Sequence, residues 1–486
     1  MNVRARVVLA VPWFCLLHVP VLADELHVPT PNYPTIQAAI DAGTDGDEVI
    51  VAPGTYEGTG NCDIQFEGKA ITVRSQDPND PNIVAATVIK CGPDDPCDPD
   101  YGVPAFGFLP PDGPGTVVAG LTIINGHCPD DGGAIQCMGG SPTIYNCTFV
   151  GNRSDDDGGA IFGAGDATIT GCTFTGNSSQ HKGGAICWVG ESPTITHCTF
   201  TQNSADEGGM AIWCGWPGTP TISYCTVSGN TCTEDSGETG SAAIQLSEGT
   251  CAIVTNCTIT GNDGGAVGGA GVWCESSSAT IANCTISANT GSPGGGGIGC
   301  LGGDLTVTNC LVTGHLQGIG CLGGYAMIEN CTVAGNDWGL ITVLYGTIDL
   351  ANCIAWGNQN LVDNYGGQIV VTYSDVQGGW PGEGNIEAGP CFVDPNGPDG
   401  DPNTWEDNDY HLGAHSRCIN AGRPTDPNDP NTDYSGQTDI DGQKRVMNGR
   451  VDMGADEKPP CGSGAAPMLP MTLAVLGISA WVRRRG

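Results

Sequence analysis

An eleven-residue pattern recurs through the middle of the chain and limits its fold more than any other feature. The copy at 142–152 reads PTIYNCTFVGN, with a cysteine between two short runs of β-branched and aromatic residues and an Asn at its close. The copies recur every 21 to 32 residues, and their central cysteines are Cys147, Cys172, Cys198, Cys225, Cys257, Cys284, Cys310, Cys331 and Cys353. A unit this short cannot bury an apolar face alone, so the copies must stack as a solenoid.

Side-chain alternation indicates how each unit bends. Ile144 and Phe149 should both point inward, yet five positions separate them, so the two-residue period of a strand breaks once. Asn146 is the natural bend, because Asn tolerates left-handed backbone. The bends form a first Asn column, at Asn146, Asn256, Asn283, Asn309, Asn330 and Asn352. The closing residues form a second Asn column, whose amides can bond from coil to coil, at Asn152, Asn177, Asn203, Asn230, Asn262, Asn289, Asn336 and Asn358.

A Gly-Gly motif lies between successive copies, as in GGAIQC at 132–137 and GGAICW at 183–188. Together the two motifs resemble the right-handed parallel β-helix repeat family of exported bacterial proteins, whose architecture is shared with pectin lyase. The resemblance covers roughly residues 30–380 and implies an all-β solenoid. The segment at 30–56 resembles the N-terminal cap of that family and implies a short helix over Thr35–Asp41, followed by a strand at Glu48–Ala52.

The resemblance also implies a division of the chain. We expect an N-terminal cap at 24–60, a right-handed parallel β-helix at 61–380 and an irregular C-terminal cap at 381–460. The last of these segments resembles the tail that follows such repeats in anchored bacterial proteins.

The two ends of the chain indicate export. Residues 1–23 combine a basic start with an apolar run and the sequence VLA, which is typical of a secretory signal peptide. Residues 461–486 combine a Cys-Gly motif, an apolar stretch and a basic end, and they resemble the C-terminal sorting signals of bacterial surface proteins. A permanent membrane anchor is the alternative interpretation of this tail, which in either case would contact a membrane before any processing.

The net charge of the chain limits the partners that it can bind. The chain has 53 Asp and Glu against 16 Lys and Arg, a net charge of −37. Five of the basic residues lie in the two terminal segments, which contain no acid, so removing both would leave 11 bases and a net charge of −42. Nucleic acid is therefore an unfavourable partner, because phosphate binding needs clustered Lys and Arg.

Most of the 25 cysteines follow the repeat. Nine form the column of the eleven-residue pattern, and a second inward column contains Cys137, Cys214, Cys274, Cys300 and Cys321. Parallel neighbours with Cβ atoms pointing the same way would strain a disulfide, so we expect buried thiols in both columns. Outside the columns we expect local bridges at Cys91/Cys97, Cys232/Cys251 and Cys391/Cys418.

An enzyme acting on acidic polysaccharides needs a base and cations that neutralise the substrate. Arg153 and Lys182 are the only Lys or Arg between residues 120 and 360, and neither belongs to a recognisable catalytic motif. The family's hydrolase signatures, a Gly-His-Gly and an Arg-x-Lys on successive coils, are missing. We therefore expect no catalytic residue, although Ca²⁺ could reverse the repulsion of an anionic substrate.

Two groups of residues are candidates for binding. The first is a group of aromatic side chains that could stack on sugar rings. Phe162, Trp213 and Trp273 are expected on one exposed sheet, with Trp188 and Trp216 nearby. Stacking that only stabilises the sheet is the alternative. The second is a group of carboxylates that precede the Gly-Gly motifs, at Asp131, Asp155, Asp156, Asp157, Asp206 and Glu207. Stacking of the coils would bring these like charges close together, which is unfavourable unless Ca²⁺ or water screens them. A solvated acidic edge is the alternative here.

Three functions remain open at this point. The favoured one is an exported, cell-surface binding or adhesion solenoid for a polysaccharide or cell-envelope glycan. The others are a structural envelope protein without a small ligand, and a polysaccharide lyase, hydrolase or epimerase.

Overall fold

The structure is a computed structural model, and it describes residues 23–92, 102–232, 241–265, 271–291, 296–343, 345–400, 407–426, 433–446 and 449–458. The expected signal peptide (except Ala23), the sorting tail and Cys97 lie outside these ranges. Within them, no helix is long and apolar enough to cross a membrane.

Four parallel sheets run along the solenoid, and each coil adds one strand to each of the three long ones. Sheet 1 contains Glu25–Val28, Glu48–Val51, Thr72–Ser75, Val117–Ala119, Thr143–Tyr145, Thr168–Thr170, Thr194–Thr196, Thr221–Ser223, Cys251–Thr255, Ser278–Ala282, Asp304–Thr308, Tyr325–Glu329, Thr347–Ala351 and Gln368–Thr372. Sheet 2 contains Gly54–Glu57, Thr87–Lys90, Thr122–Ile124, Thr148–Val150, Thr173–Thr175, Thr199–Thr201, Thr226–Ser228, Thr258–Thr260, Thr285–Ser287, Leu311–Thr313, Thr332–Ala334, Ile354–Trp356 and Asp375–Val376.

Sheet 3 closes each coil. Its strands are Ile64–Gln65, Phe106–Phe108, Ile135–Met138, Ile161–Ala164, Ile186–Val189, Ile212–Gly215, Ile244–Ser247, Val272–Glu275, Ile298–Leu301, Gln317–Leu322, Trp338–Val343 and Asn360–Tyr365. Between sheets 2 and 3 runs a short sheet of His127–Cys128, Arg153–Ser154, Ser178–Ser179, Ser204–Ala205 and Thr231–Cys232. The all-β parallel β-helix expected from the repeat is confirmed.

The bend between sheets 1 and 2 is left-handed, as the first Asn column predicts. Asn146 has φ 52° and Asn256 has φ 55°. His197 and Tyr224 hold the same position with φ 54° and 53°, although neither residue type signals a bend. The bend does not interrupt the bonding between coils, because the amides of Asn146 and His197 donate to the Thr170 and Ser223 carbonyls of the next coil (both 3.0 Å).

The core contains stacks of like side chains from successive coils. The rings of Phe149, Phe174 and Phe200 lie parallel, with centroids 4.7 and 4.8 Å apart. The nine cysteines of the repeat and the five of the second column are buried free thiols, so the expectation of unbridged columns is confirmed.

The expected local disulfides are wrong. Cys91 is bonded to Cys62, whose Cα lies 5.8 Å away on the preceding coil, and so is not available to Cys97. Neither of the other two expected pairs forms a disulfide. Cys232 lies in the short sheet and Cys251 in sheet 1, on different faces of the coil, while buried Cys418 donates to the Asp375 carboxylate (3.2 Å).

A helix covers the N-terminal end of the solenoid. Helix Ile36–Ala42 buries Ile36, Ala39 and Ile40, and the Thr35 hydroxyl caps it by accepting the Ala38 amide (3.2 Å). A second helix, Pro81–Ala86, lies beside sheet 2, where the Thr122 hydroxyl donates to the Val84 carbonyl (2.8 Å).

The segment after residue 390 folds back along the last coils. It contains the antiparallel pair Phe392–Asp394 and Asp409–Leu412. It covers the outer face of sheet 2, since the Thr313 hydroxyl bonds to the Tyr410 hydroxyl (3.0 Å) and the Ala455 amide donates to the Thr332 hydroxyl (3.0 Å).

Candidate functional site

The loops between the short sheet and sheet 3 bring charged side chains together along the solenoid axis. Each loop follows a strand of the short sheet and precedes a Gly-Gly pair. We call this surface the charged shelf and define it by Asp130, Asp131, Asp155, Asp156, Asp157, His181, Lys182, Asp206 and Glu207, together with His127 and Arg153.

The Gly-Gly pairs let the shelf loops pack closely. A Cβ atom on Gly159 would lie 2.2 Å from the Gly184 carbonyl oxygen and 2.5 Å from that of Ser178. Any side chain there would push the coils apart, because both contacts are with backbone. The recurring glycines therefore set the spacing at which the charged groups of successive loops meet.

Carboxylates of one coil bond to amides of the next. Asp131 Oδ1 accepts the amide of Asp157 (3.2 Å), and Asp157 Oδ1 accepts the amide of Lys182 (2.8 Å). Burial, together with the neighbouring carboxylates of Asp156 and Asp157, raises the pKa of Asp131 to about 6. Burial also raises the pKa of Asp157. A cation placed among these groups would offset both effects.

His181 sits between the acids of two coils. Its Nδ1 lies 2.5 Å from Asp156 Oδ1, and its Nε2 lies 3.9 Å from Glu207 Oε1. The hydrogen bond to Asp156 raises the pKa of this imidazole, which favours its charged form. The candidate ligand atoms of Asp156, Asp157 and His181 all lie within 4.8 Å of one another. Two carboxylates and one imidazole at this separation fit a divalent cation.

The few basic residues of the central coils are also on the shelf. Arg153 pairs with Asp155 (2.9 Å), whose other oxygen lies 3.3 Å from His127 Nε2. The Lys182 ammonium lies 5.0 Å from the ring centre of Trp213, in cation–π geometry. The only Arg and the only Lys between residues 120 and 360 therefore lie on one surface.

The structure separates the predicted acids into groups. Asp131, Asp156 and Asp157 form the densest part of the shelf, while Asp155 turns toward Arg153. Glu207 contacts this group at His181. The backbone carbonyl of Asp206 accepts a hydrogen bond from the Cys232 thiol (3.4 Å). The predicted role of these acids in metal binding stays a prediction.

The expected row of exposed aromatic rings at Phe162, Trp213 and Trp273 is wrong. Phe162, Trp188, Trp213 and Trp273 are buried, and Trp216 is exposed over 57% of its surface. Neighbouring glycines explain the burial, because a Cβ on Gly163 would lie 2.2 Å from the Trp188 ring. The Trp188 indole also donates to the Gly165 carbonyl (2.9 Å). Contact with a ligand stays a prediction for this set.

His127 and His181 were missed by sequence reasoning. The loops SDDDGG (154–159) and SQHKGG (179–184) both end on a Gly-Gly pair. Aligning them on these glycines places His181 at the position of Asp156 in the next coil. That alignment was the available signal. The loops differ in charge, which hid their equivalence when only acids were sought.

A second carboxylate–imidazole group lies in the C-terminal segment. His411 Nδ1 lies 2.5 Å from Asp409 and its Nε2 lies 2.7 Å from Asp441. The bond to Asp441 is the main cause that raises the pKa of His411 to about 10. Because both ring nitrogens face carboxylates, we interpret this group as an ion-pair cluster that links two parts of the C-terminal segment.

Comparison with a family model gives three overlapping matches. The model described as a right handed beta helix region matches residues 112–234, 159–337 and 211–377, which together span more than half of the chain. No curated protein matches the chain at a significant level.

Several solved structures are similar at low identity. A pectate lyase, Pel9A, is 16% identical with a TM-score of 0.44, over 90% of this chain and 96% of its own. A PL6 family alginate lyase, AlyGC, is 13% identical with a TM-score of 0.41, over 71% of this chain and 53% of its own, so the match spans about half of that enzyme. The A-module of the Azotobacter vinelandii mannuronan C-5 epimerase AlgE6 is 14% identical with a TM-score of 0.29, over 69% of this chain and 92% of its own.

Proposed function

The chain belongs to the right-handed β-helix family, and on that premise we propose that it is an exported glycan-binding protein whose ligand lies along the charged shelf. The observation that carries the proposal is the grouping of Arg153, Lys182 and His181 with the acids of the neighbouring loops. Elsewhere the central coils have no Lys or Arg, so this surface has a charge pattern of its own.

The shape of the shelf suits a linear polymer. Its loops repeat with the coils, at about 4.8 Å per step. A polysaccharide repeats its hydroxyl groups along a line in the same way, and carboxylates, Arg and Lys can bond to such groups. The exposed Trp216 on a turn between sheets 3 and 1 would be an additional apolar contact, outside the shelf itself.

The shelf also fits a divalent cation, for which Ca²⁺ is our first candidate. Asp156 and Asp157 would supply oxygen ligands, with His181 or Glu207 completing the group. Such an ion would neutralise the crowded carboxylates and would allow an anionic glycan to approach. Export and attachment through residues 461–486 belong to the same proposal.

Binding to a glycan array by the mature chain tests this function. We expect retention of at least one polysaccharide, and loss of retention in the double variant Asp156→Asn/Asp157→Asn and in Lys182→Met. Asp304→Asn is the matched control, because Asp304 is an exposed acid on sheet 1. If no glycan binds, or if the shelf variants bind as well as the control, the proposal fails and a structural envelope role gains support.

One observation favours cleavage as a second candidate. Asp156 orients His181, whose Nε2 points toward Glu207 across a half-exposed gap, and an oriented imidazole can move a proton. Incubating the chain with polyuronates and following the absorbance of unsaturated products tests lyase activity. Product formation that disappears in His181→Ala would favour an enzyme, and its absence from every substrate would exclude lyase activity on them.

A further inference from the structure

The second Asn column is a one-way chain of hydrogen bonds. Asn152 directs both its backbone amide (3.0 Å) and its side-chain Nδ2 (2.9 Å) to the Oδ1 of Asn177 in the next coil. Asn177 does the same to Asn203, and Nδ2 also donates to a strand carbonyl of the preceding coil, here that of Phe149 (3.1 Å). The bonds between successive Asn residues therefore all point toward the C-terminal end, while the second Nδ2 hydrogen points back to the preceding coil.

The column ends at Asn358. Asn336 still directs its amide (3.0 Å) and its Nδ2 (3.0 Å) to Asn358 Oδ1. Asn358 is only 8% exposed, and its Nδ2 donates to the Val333 carbonyl (2.9 Å). Within the ranges that the structure describes, its backbone amide and the second hydrogen of Nδ2 have no acceptor.

The chain turns away where the next Asn of the column would stand. The pairing of Ala355 with Val376 places Gly379 at that position. Instead of continuing the column, Gly379 donates to the Val376 carbonyl (3.0 Å) and adopts φ 73°. The donors of Asn358 are therefore directed at a space that the next coil does not fill.

A small cavity occupies this space. It has a volume of about 220 Å³ and is lined by Ala355, Asn358, Gln359, Leu361, Gln377 and Gly378. A water molecule takes about 30 Å³ of liquid volume, so the cavity can hold a group of several heavy atoms. Carboxamides on its wall supply both donors and acceptors.

We propose that this cavity binds the carbonyl of a small neutral amide, such as the acetamido group of an N-acetylated sugar. In each earlier Asn–Asn step the two donors meet a carboxamide oxygen, so an amide carbonyl reproduces the contact that the column already makes. The N–H of the ligand can in turn donate to the Gln377 or Gln359 side chain.

Charge favours a neutral ligand over a carboxylate. Gln359 Nε2 donates to Asp337 (2.6 Å), and Glu387 Oε1 accepts the Gly378 amide (3.2 Å), so acids flank the cavity. The whole chain is also strongly anionic. This site lies in the last coils and does not depend on the charged shelf, so it can exist whether or not the proposed shelf function is correct.

Ligand-observed NMR with N-acetylglucosamine tests the proposal on the full mature chain. We expect saturation transfer to the acetyl methyl group, and none from the chain to glucose, which is also neutral but lacks the amide. Asn358→Asp removes the Nδ2 donors and should weaken binding about tenfold, as expected for one or two hydrogen bonds. Asn336→Asp is the matched control, since it breaks the column one coil earlier and lies outside the cavity.

A second variant keeps the test decisive if Asn358→Asp does not fold. Leu361→Trp places a large ring at the rim of the cavity and should abolish the signal while leaving the column intact. Equal binding by Asn336→Asp and Asn358→Asp, or equal transfer to glucose, would overturn the proposal. The double shelf variant Asp156→Asn/Asp157→Asn should bind N-acetylglucosamine normally, which separates this site from the shelf.

Discussion

His315 occupies a position in the second Asn column where the other coils place Asn. The amide of Asn289 contacts its Nε2 (3.2 Å), and its backbone amide donates to Asn336 Oδ1 (3.0 Å). The ring is 3% exposed, and burial lowers its pKa to about 4. A neutral imidazole therefore replaces a carboxamide without interrupting the column.

Replacing His315 with Asn should make the protein more resistant to acid. The unfolded chain binds a proton at this His near its ordinary pKa of 6.5, but the folded chain does so only near 4. Stability is therefore lost as pH falls through this window, by on the order of 3 kcal/mol. Urea unfolding at pH 7 and pH 4.5 measures the effect. An equal loss in wild type and His315→Asn would contradict it.

At the scale of an element, the repeated coil was largely predictable and the loops were not. The bends, the two Asn columns and the thiol columns follow from side-chain alternation in near-identical copies. The Cys62–Cys91 bond lies in the first coils, where the copies diverge, so no spacing rule indicated it. The burial of Trp213 depends on glycines and on the Lys182 side chain, whose positions only the packed coils reveal.

In the loops of the charged shelf, stabilisation by a bound cation should depend on pH. Asp131 has a folded pKa of about 6, raised from 3.8, so its contribution to stability is complete below 3.8 and is lost as pH rises through 6. Ca²⁺ bound nearby would offset that loss, so it should raise the melting temperature more at pH 7 than at pH 5. Differential scanning calorimetry with Ca²⁺ or a chelator measures this.

The control for the shelf is Asp131→Asn, which removes the titrating group. Its calcium shift should differ less between the two pH values than that of the wild type. A calcium shift that is absent at both pH values would reject the cation site itself. A shift of equal size at pH 5 and pH 7 would instead reject the coupling to Asp131.

For the whole molecule, the packing of the C-terminal segment against the coils was the least predictable feature. The C-terminal segment joins the coils through contacts that span about a hundred residues of sequence, such as Tyr434 with Glu329 and Asn352. Irregular loops carry no periodicity, so the sequence indicated a cap but not which sheet it covers. Its position on the outer face of sheet 2 follows from hydrogen bonds to Thr313 and Thr332.

Tyr434→Phe should loosen this segment without unfolding the solenoid. Tyr434 is 1% exposed, and removing its hydroxyl leaves the Glu329 carboxylate and the Asn352 amide without that partner. Such a loss costs about 1–3 kcal/mol. Limited proteolysis should show faster cleavage after residue 390 and unchanged protection of the central coils. Tyr224→Phe, on an exposed ring, is the control and should cut like the wild type.

The thiol columns have a consequence for how the chain is made. Each thiol of the central column is flanked by the coils before and after it, and its sulfur donates to a carbonyl of the preceding coil, as Cys172 does to Ile144 (3.8 Å). During synthesis or translocation, a new cysteine is shielded only once the following coil has docked. Coils that add one at a time from the N-terminal end expose a single thiol per column at the growing edge. If the coils dock in this order, most cysteines are shielded from oxidation and mispairing as the chain folds, whereas a simultaneous collapse would leave them all open.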